Sequence, residues 1–152
     1  MILESNRFGK VNYKKSDIVW LVRGLLGFDE HKRYIIVALK GQEPFKWLQS
    51  LDDPNLAFLM IDPLFFKPDY VVEVNPKDIG LLGARSLDDI STFTLVTIPT
   101  GQPDKMTVNL QGPLIINKRN LHGAQLVLGD SNYDTRHLIF KDLEKRMADC
   151  AV

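Results

Sequence analysis

The sequence predicts a mostly β fold, an antiparallel, barrel-like single domain with short helical turns and one helix at its C-terminal end. Three observations carry that reading. Short runs of β-branched and aromatic residues recur along the chain, each closed by residues that turns demand. Helical periodicity is confined to two places. The 152 residues show no linker or low-complexity stretch, and a domain of that size buries enough surface for one core.

The elements follow in order. Ile18 to Val22, Tyr34 to Leu39, Lys46 to Leu51 and Leu56 to Ile61 are apolar runs of strand length, broken by Gly24, Gly27, Asp53-Pro54-Asn55 and Asp62-Pro63. Tyr70, Val72 and Val74 share one face against Val71 and Glu73 on the other. Thr92 to Ile98 is rich in strand formers, and Pro99 stops it by removing a ladder donor. Met106, Val108 and Leu110 alternate with Thr107, Asn109 and Gln111, and Gln125 to Leu128 reads as a further strand before the turn Gly129-Asp130-Ser131-Asn132. Asn75 followed by Pro76 is an N-cap with proline at the first helical position, and Gly80 or Gly83 can end that helix. Ile139, Leu143 and Met147 fall at i, i+4 and i+8, with Lys141, Glu144 and Lys145 facing away, so an amphipathic helix is expected over about 138–149. Residues 1–138 thus form the barrel domain and 139–152 a helical extension. Gly24-Leu-Leu-Gly27 recurs as Gly80-Leu-Leu-Gly83, but the flanks do not match and no repeat is implied.

Composition removes several function classes. Nineteen basic and nineteen acidic residues cancel, whereas direct nucleic-acid binding calls for clustered cations that neutralise phosphates. The charge is uneven: residues 1–46 carry nine basic and five acidic groups, and residues 47–75 carry five acidic groups against Lys67 alone. The run Leu56 to Ile61 falls far short of the roughly 20 residues a membrane helix needs, and Met1 to Arg7 holds no export-type apolar core. Cys150 is the one cysteine, which suits a reducing compartment.

An active site is not legible. His31, His122 and His137 stand alone, without metal-ligand spacing, so neither a metal nor another cofactor is expected. There is no nucleophile elbow, P-loop or dinucleotide fingerprint. Asp52-Asp53 and Asp88-Asp89 are adjacent pairs, which point to opposite faces of a strand and read as turn residues. What stands out is Leu64-Phe65-Phe66-Lys67-Pro68-Asp69-Tyr70 after Asp62-Pro63. Aromatics beside prolines make stiff contact surfaces of the kind protein interfaces use, with alternation burying one of Phe65 and Phe66 and exposing the other.

These residues also carry a family resemblance. Lys46 to Phe58 leads into Ile61-Asp62-Pro63 and Phe66-Lys67-Pro68-Asp69-Tyr70, then Val96-Thr97-Ile98-Pro99, Met106 to Leu110, Pro113 to Asn117, Gly123-Ala124-Gln125 and Tyr133 to Leu138. Over about residues 2–138 this order and spacing resemble the flagellar assembly factor FliW family. Three places depart from it: leucine stands where proline is frequent in Arg23 to Glu30, Ile139 replaces a proline, and a helix follows where many members stop.

The resemblance implies a small, non-catalytic, cytoplasmic β-barrel protein that binds flagellin before export and also binds the RNA-binding regulator CsrA. Binding CsrA would stop it repressing flagellin mRNA, and accumulated flagellin, by occupying the protein, would return CsrA to that mRNA. The alternative is a flagellin-specific chaperone acting without a CsrA-type regulator. The partner-binding residues expected on either reading are the acidic Asp52, Asp53, Asp62 and Asp69, the aromatic Phe65, Phe66 and Tyr70, and the polar strand face Thr107, Asn109 and Gln111. No coiled-coil pattern is present, and a monomer is expected.

Overall fold

A computed structural model describes residues 1–129 and 131–150, with side chains described as far as Arg146. The turn residue Asp130, the side chain of Met147 at the third apolar helical position and the thiol of Cys150 therefore lie outside what is described.

Seven strands close a barrel. In ring order they are β7 (Ile90–Thr97), β6 (Ala57–Ile61), β5 (Lys46–Ser50), β4 (Arg33–Val37), β3 (Val19–Leu21), β10 (His122–Gln125) and β9 (Leu114–Asn117), and β9 pairs back onto β7. Every contact in the ring is antiparallel except β3 with β10, which is parallel. That pair joins segments about a hundred residues apart in sequence, so no hairpin fixes its direction. β8 (Thr107–Val108) pairs with the end of β7 opposite β6, past the stretch where β9 pairs, and β11 (His137–Leu138) pairs with β8 in turn. A separate hairpin, β1 (Ile2–Ser5) and β2 (Gly9–Asn12), stands apart from the ring.

Alternation sorts the apolar residues into three clusters. Val19, Leu21, Tyr34, Leu48, Met60, Phe93, Leu114 and Ile116 pack together as the barrel core. Ile115, one residue out of phase on β9, joins Leu82, Ala124 and Leu126 on the outside, beneath helix α1 (Pro76–Leu81). β9 is thus buried on both faces, which is why Leu114-Ile115-Ile116 is an unbroken apolar run. The third cluster holds Ile61, Phe66, Tyr70, Met106, Val108, Leu110, Ile139 and Leu143. Helix α2 (Phe140–Cys150) docks there through Leu143.

The expected elements are largely present, with instructive differences. Asn75 caps α1, its side chain accepting from the Lys77 N–H at 2.9 Å. Residues 106–111 alternate in burial throughout, yet only Thr107 and Val108 pair in a ladder. Tyr70 to Val74 alternates in the same way and belongs to no sheet. The β1–β2 hairpin, β9 and β11 have no counterpart among the expected strands, and the expected strand Gln125 to Leu128 meets the observed ladder only at Gln125, the end of β10.

One buried polar network fixes the β5–β6 corner. Gln49 is fully buried; its Oε1 accepts from Ser5 Oγ at 2.8 Å, and its Nε2 donates to the Ser50 and Leu56 carbonyls at 2.9 and 3.1 Å. Ser50 Oγ accepts from the Asp52 and Asp53 amides. Left unpaired, these groups would cost about 1–3 kcal/mol each, so the side chains hold the turn in one form.

Candidate functional site

The aromatic segment is built by a short 3₁₀ turn over Pro63–Phe65. Asp62 caps it, its Oδ1 accepting from the Leu64 N–H at 2.9 Å, and Pro63 presets the first position. The turn separates the two phenylalanines as expected of neighbours. Phe66 is 4% exposed and stacks on the His137 ring at 5.9 Å, while Phe65 is 47% and Leu64 51% exposed. His137 also stands 3.9 Å from Asp142 on α2. Tyr70 is buried, and its hydroxyl donates to the Leu110 carbonyl at 2.6 Å. Its pKa is raised well above the ordinary tyrosine value, first by burial and then by the neighbouring Tyr133.

Leu64 and Phe65 stand at the mouth of a groove of about 940 Å³. Its walls come from distant segments, among them Phe45 and Lys46 around the start of β5, the turn itself, Tyr70, Val72 and Val74, Ile90 to Phe93 on β7, and Leu143 with Arg146 on α2. Apolar side chains dominate this lining. Lys46 lies over the Phe93 ring at 5.8 Å. The carboxylate of Glu43 is engaged by the Gly41 N–H and that of Asp62 by Leu64. The groove therefore offers a greasy floor with cations at its rim, the chemistry of a protein-docking surface.

The other expected site residues are dispersed. Asp52 accepts from Arg33 at 2.6 Å, and the Asp53 carboxylate accepts from the Asn55 N–H. Asp69 is 82% exposed, 3.3 Å from Lys67. Asn109 Oδ1 accepts from the Gln111 and Gly112 amides, and Gln111 Nε2 donates to the Ser131 and Tyr133 carbonyls. Half-buried, Asn109 and Gln111 direct their polar groups inward; Thr107 is half-buried beside them in β8. Leu64, Lys46, Phe93, Leu143 and Arg146 were not among the expected site residues, and only folding brings them to one groove.

No group of three His, Cys, Asp or Glu side chains among the described residues is placed to hold a metal ion. No helix among them is long and apolar enough to cross a membrane.

The sequence and the barrel match one family. The family model for the FliW protein covers residues 2–139. The chain belongs to the FliW family. It is 44% identical over 144 residues to the flagellar assembly factor FliW of Treponema denticola, covering 94% of this chain and 96% of that one. To the corresponding factor of Treponema pallidum it is 38% identical over 150 residues, covering 97% of each. A crystal structure of the flagellar assembly factor FliW superposes with a TM-score of 0.86 at 29% identity, covering 92% of this chain and 97% of that one.

Several segments that carry the FliW resemblance have structural work in this chain. Lys46 to Phe58 contains the Gln49 network. Pro113 to Asn117 is β9, whose buried Asn117 donates to the Leu82 carbonyl at 2.9 Å and so closes the end of α1. Tyr133-Asp134 is held against Leu110 and Gln111 by main-chain and side-chain bonds. In the Arg23 to Glu30 loop, Gly24 has φ of +68°, and a Cβ there would stand 2.7 Å from the Asp29 Cα.

Proposed function

We propose that this chain acts in flagellar assembly as a non-enzymatic partner switch in the cytoplasm, binding flagellin and a CsrA-type RNA-binding regulator. Binding the regulator relieves its repression of flagellin mRNA, and binding flagellin returns the regulator to the mRNA. The observation that carries this reading is an exposed apolar tip, Leu64-Phe65, on a capped and rigid turn at the mouth of an apolar groove, in a chain of the FliW family. A stiff turn loses little entropy when it is buried, so its contact area converts efficiently into affinity. The tip and groove serve flagellin. The acidic corner around Asp53 and the exposed Asp69 serve the basic regulator, adding chiefly to its rate of capture. Thr107, Asn109 and Gln111 contribute by holding the neighbouring segment in shape.

The test is a titration of the purified protein into a labelled complex of the regulator with flagellin mRNA, repeated with flagellin in excess. The expected result is release of the RNA, reversed by flagellin. RNA that stays bound in both conditions removes the regulatory role, and flagellin binding alone would then make the protein a flagellin chaperone.

A further inference from the structure

On the opposite side of the Tyr70–Val74 segment from the groove lies a second cleft, of about 760 Å³, whose lining includes the polar residues Arg23, Glu73, Asp78, Gln125 and Tyr133. One bank is Val71 to Asn75. Val72 and Val74 are half-buried against the outer cluster of Leu82, Ile115, Ala124 and Leu126, and Val71 and Glu73 are exposed. The two valines thus lay the segment on the barrel while its main chain joins no sheet. The Val71 N–H donates to the Tyr133 hydroxyl at 3.2 Å. Among the described residues, the N–H groups of Val72, Glu73, Val74 and Asn75 have no protein acceptor, and the carbonyls of Val71 to Val74 have no protein donor.

The facing bank is Gln125 to Gly129. The Leu126 and Leu128 amides donate away from the cleft, to the Pro113 and Gln111 carbonyls, both at 2.8 Å. In a strand the N–H groups of alternate residues point to opposite edges. The Val127 N–H, between those two, is therefore turned toward the cleft, and it has no protein acceptor among the described residues. The same rule applied to the first bank places the Glu73 N–H and C=O on the edge from which Val71 reaches Tyr133, and Tyr133 itself lines this cleft. The first bank aims unpaired main-chain groups into this space and the second adds the Val127 N–H, the Val127 carbonyl being taken by the Gly129 N–H at 3.2 Å.

We infer that this cleft is a β-augmentation site, taking an extended segment of a partner protein as an added strand alongside Val71–Asn75. Open strand edges recruit extended peptide through the main chain, and side chains on alternate positions set the preference. Here Val71 and Val127 are 65% and 68% exposed and supply apolar contact. Arg23 and Asp78 neutralise each other at 3.0 Å, while Glu73 has no cationic partner among the described residues. The preferred segment therefore alternates apolar residues with a lysine or arginine that meets Glu73. This inference stands apart from the partner switch, because it uses neither the aromatic tip nor the groove.

The test needs no natural partner. A capped hexapeptide of alternating valine and lysine is titrated into the isotope-labelled full chain, and amide shifts are followed. The expected result is saturable change confined to residues 71–75 and 125–129. Methylating alternate peptide nitrogens on wild-type protein, and Glu73→Pro on the protein, are each expected to weaken binding about fivefold or more by removing a main-chain bond. Proline suits an extended segment at this position, and Glu73→Ala, which keeps the N–H, separates the loss of backbone from the loss of charge. No change up to millimolar peptide, change centred on the groove, or binding indifferent to methylation would each overturn the inference. Concentration-dependent change at the same residues without peptide would also overturn it, by making a second copy of the chain the occupant.

Discussion

Phe65 and Phe66 are chemically identical neighbours to which the structure assigns opposite duties, so truncating each in turn tests the site directly. Phe66 is 4% exposed, packed with Ile61, Tyr70, Met106, Val108, Leu110, Ile139 and Leu143, and stacked on His137. Phe66→Ala removes that packing and leaves a cavity, a change that costs about 3–5 kcal/mol. For a chain of this length each kcal/mol lowers Tm by about 2–4 °C, so a fall of roughly 6–20 °C is expected. Phe65, 47% exposed at the mouth of the groove, has little to lose in the free protein. Phe65→Ala should stay within about 0.5 kcal/mol of the parent. Its effect belongs to binding: a hot-spot aromatic contributes about 2 kcal/mol or more, which is roughly a thirtyfold weaker Kd for flagellin. Circular-dichroism melts and calorimetric titration with flagellin measure the two quantities independently. A Phe65→Ala protein that melts with Phe66→Ala, or that binds flagellin like the parent, would refute the assignment of the tip.

Three further outcomes follow from the same geometry. Tyr34 is fully buried with a hydroxyl that has no hydrogen-bond partner among the described residues, whereas the Tyr70 hydroxyl bonds Leu110; Tyr34→Phe should therefore stabilise by about 1 kcal/mol and Tyr70→Phe destabilise by about 1–2 kcal/mol, read from urea midpoints. Burial, and then the charge of Asp52, push the Tyr34 pKa up from 10.0 to about 12. The fold favours the neutral phenol, so its contribution is intact below pH 10 and is lost as pH rises toward 12, at up to about 1.4 kcal/mol per pH unit; Tyr34→Phe should flatten that alkaline slope. Gly123→Ala would set a Cβ 2.8 Å from the Ile115 carbonyl, in a strand pair that closes the barrel, and should lower stability by about 1–3 kcal/mol in the same titrations. Reversing the exposed Asp69 to lysine should slow regulator association several-fold and reduce its salt dependence, measured by stopped flow, while leaving the melting temperature near that of the parent.

The strands legible in the sequence were those with one wet and one dry face, or with apolar runs bounded by turn residues. β9 was not, because burial on both faces removes alternation and leaves four residues that could belong to either kind of element. The β1–β2 hairpin carries too few apolar residues to announce itself. Residues 70–74 and 106–111 teach a different lesson. Their alternation correctly reported which side chains face inward, but burial period says nothing of whether the main chain has a neighbour to pair with. The division of labour between Phe65 and Phe66 was legible as an alternative and needed the 3₁₀ turn to settle it. The groove was not legible at all, since its walls meet only when β5, β7 and α2 are assembled.

That difference bears on where partner choice resides. Gln49, Asn109, Asn117 and Tyr70 all lie in the segments that carry the family resemblance, and each directs its polar atoms into internal bonds. Substituting them would disturb binding only by disturbing the barrel, so loss of function at those sites cannot by itself locate an interface. Leu64, Phe65 and Val127 spend their exposed surface on nothing internal, and they sit on segments that internal bonds have already fixed in place. A partner meeting such residues loses little to reordering the protein it binds. The rigid residues therefore set the affinity that the exposed ones can reach. A change at Gln49 should alter stability and every interaction together, whereas a change at Phe65 should alter one interaction and leave stability alone.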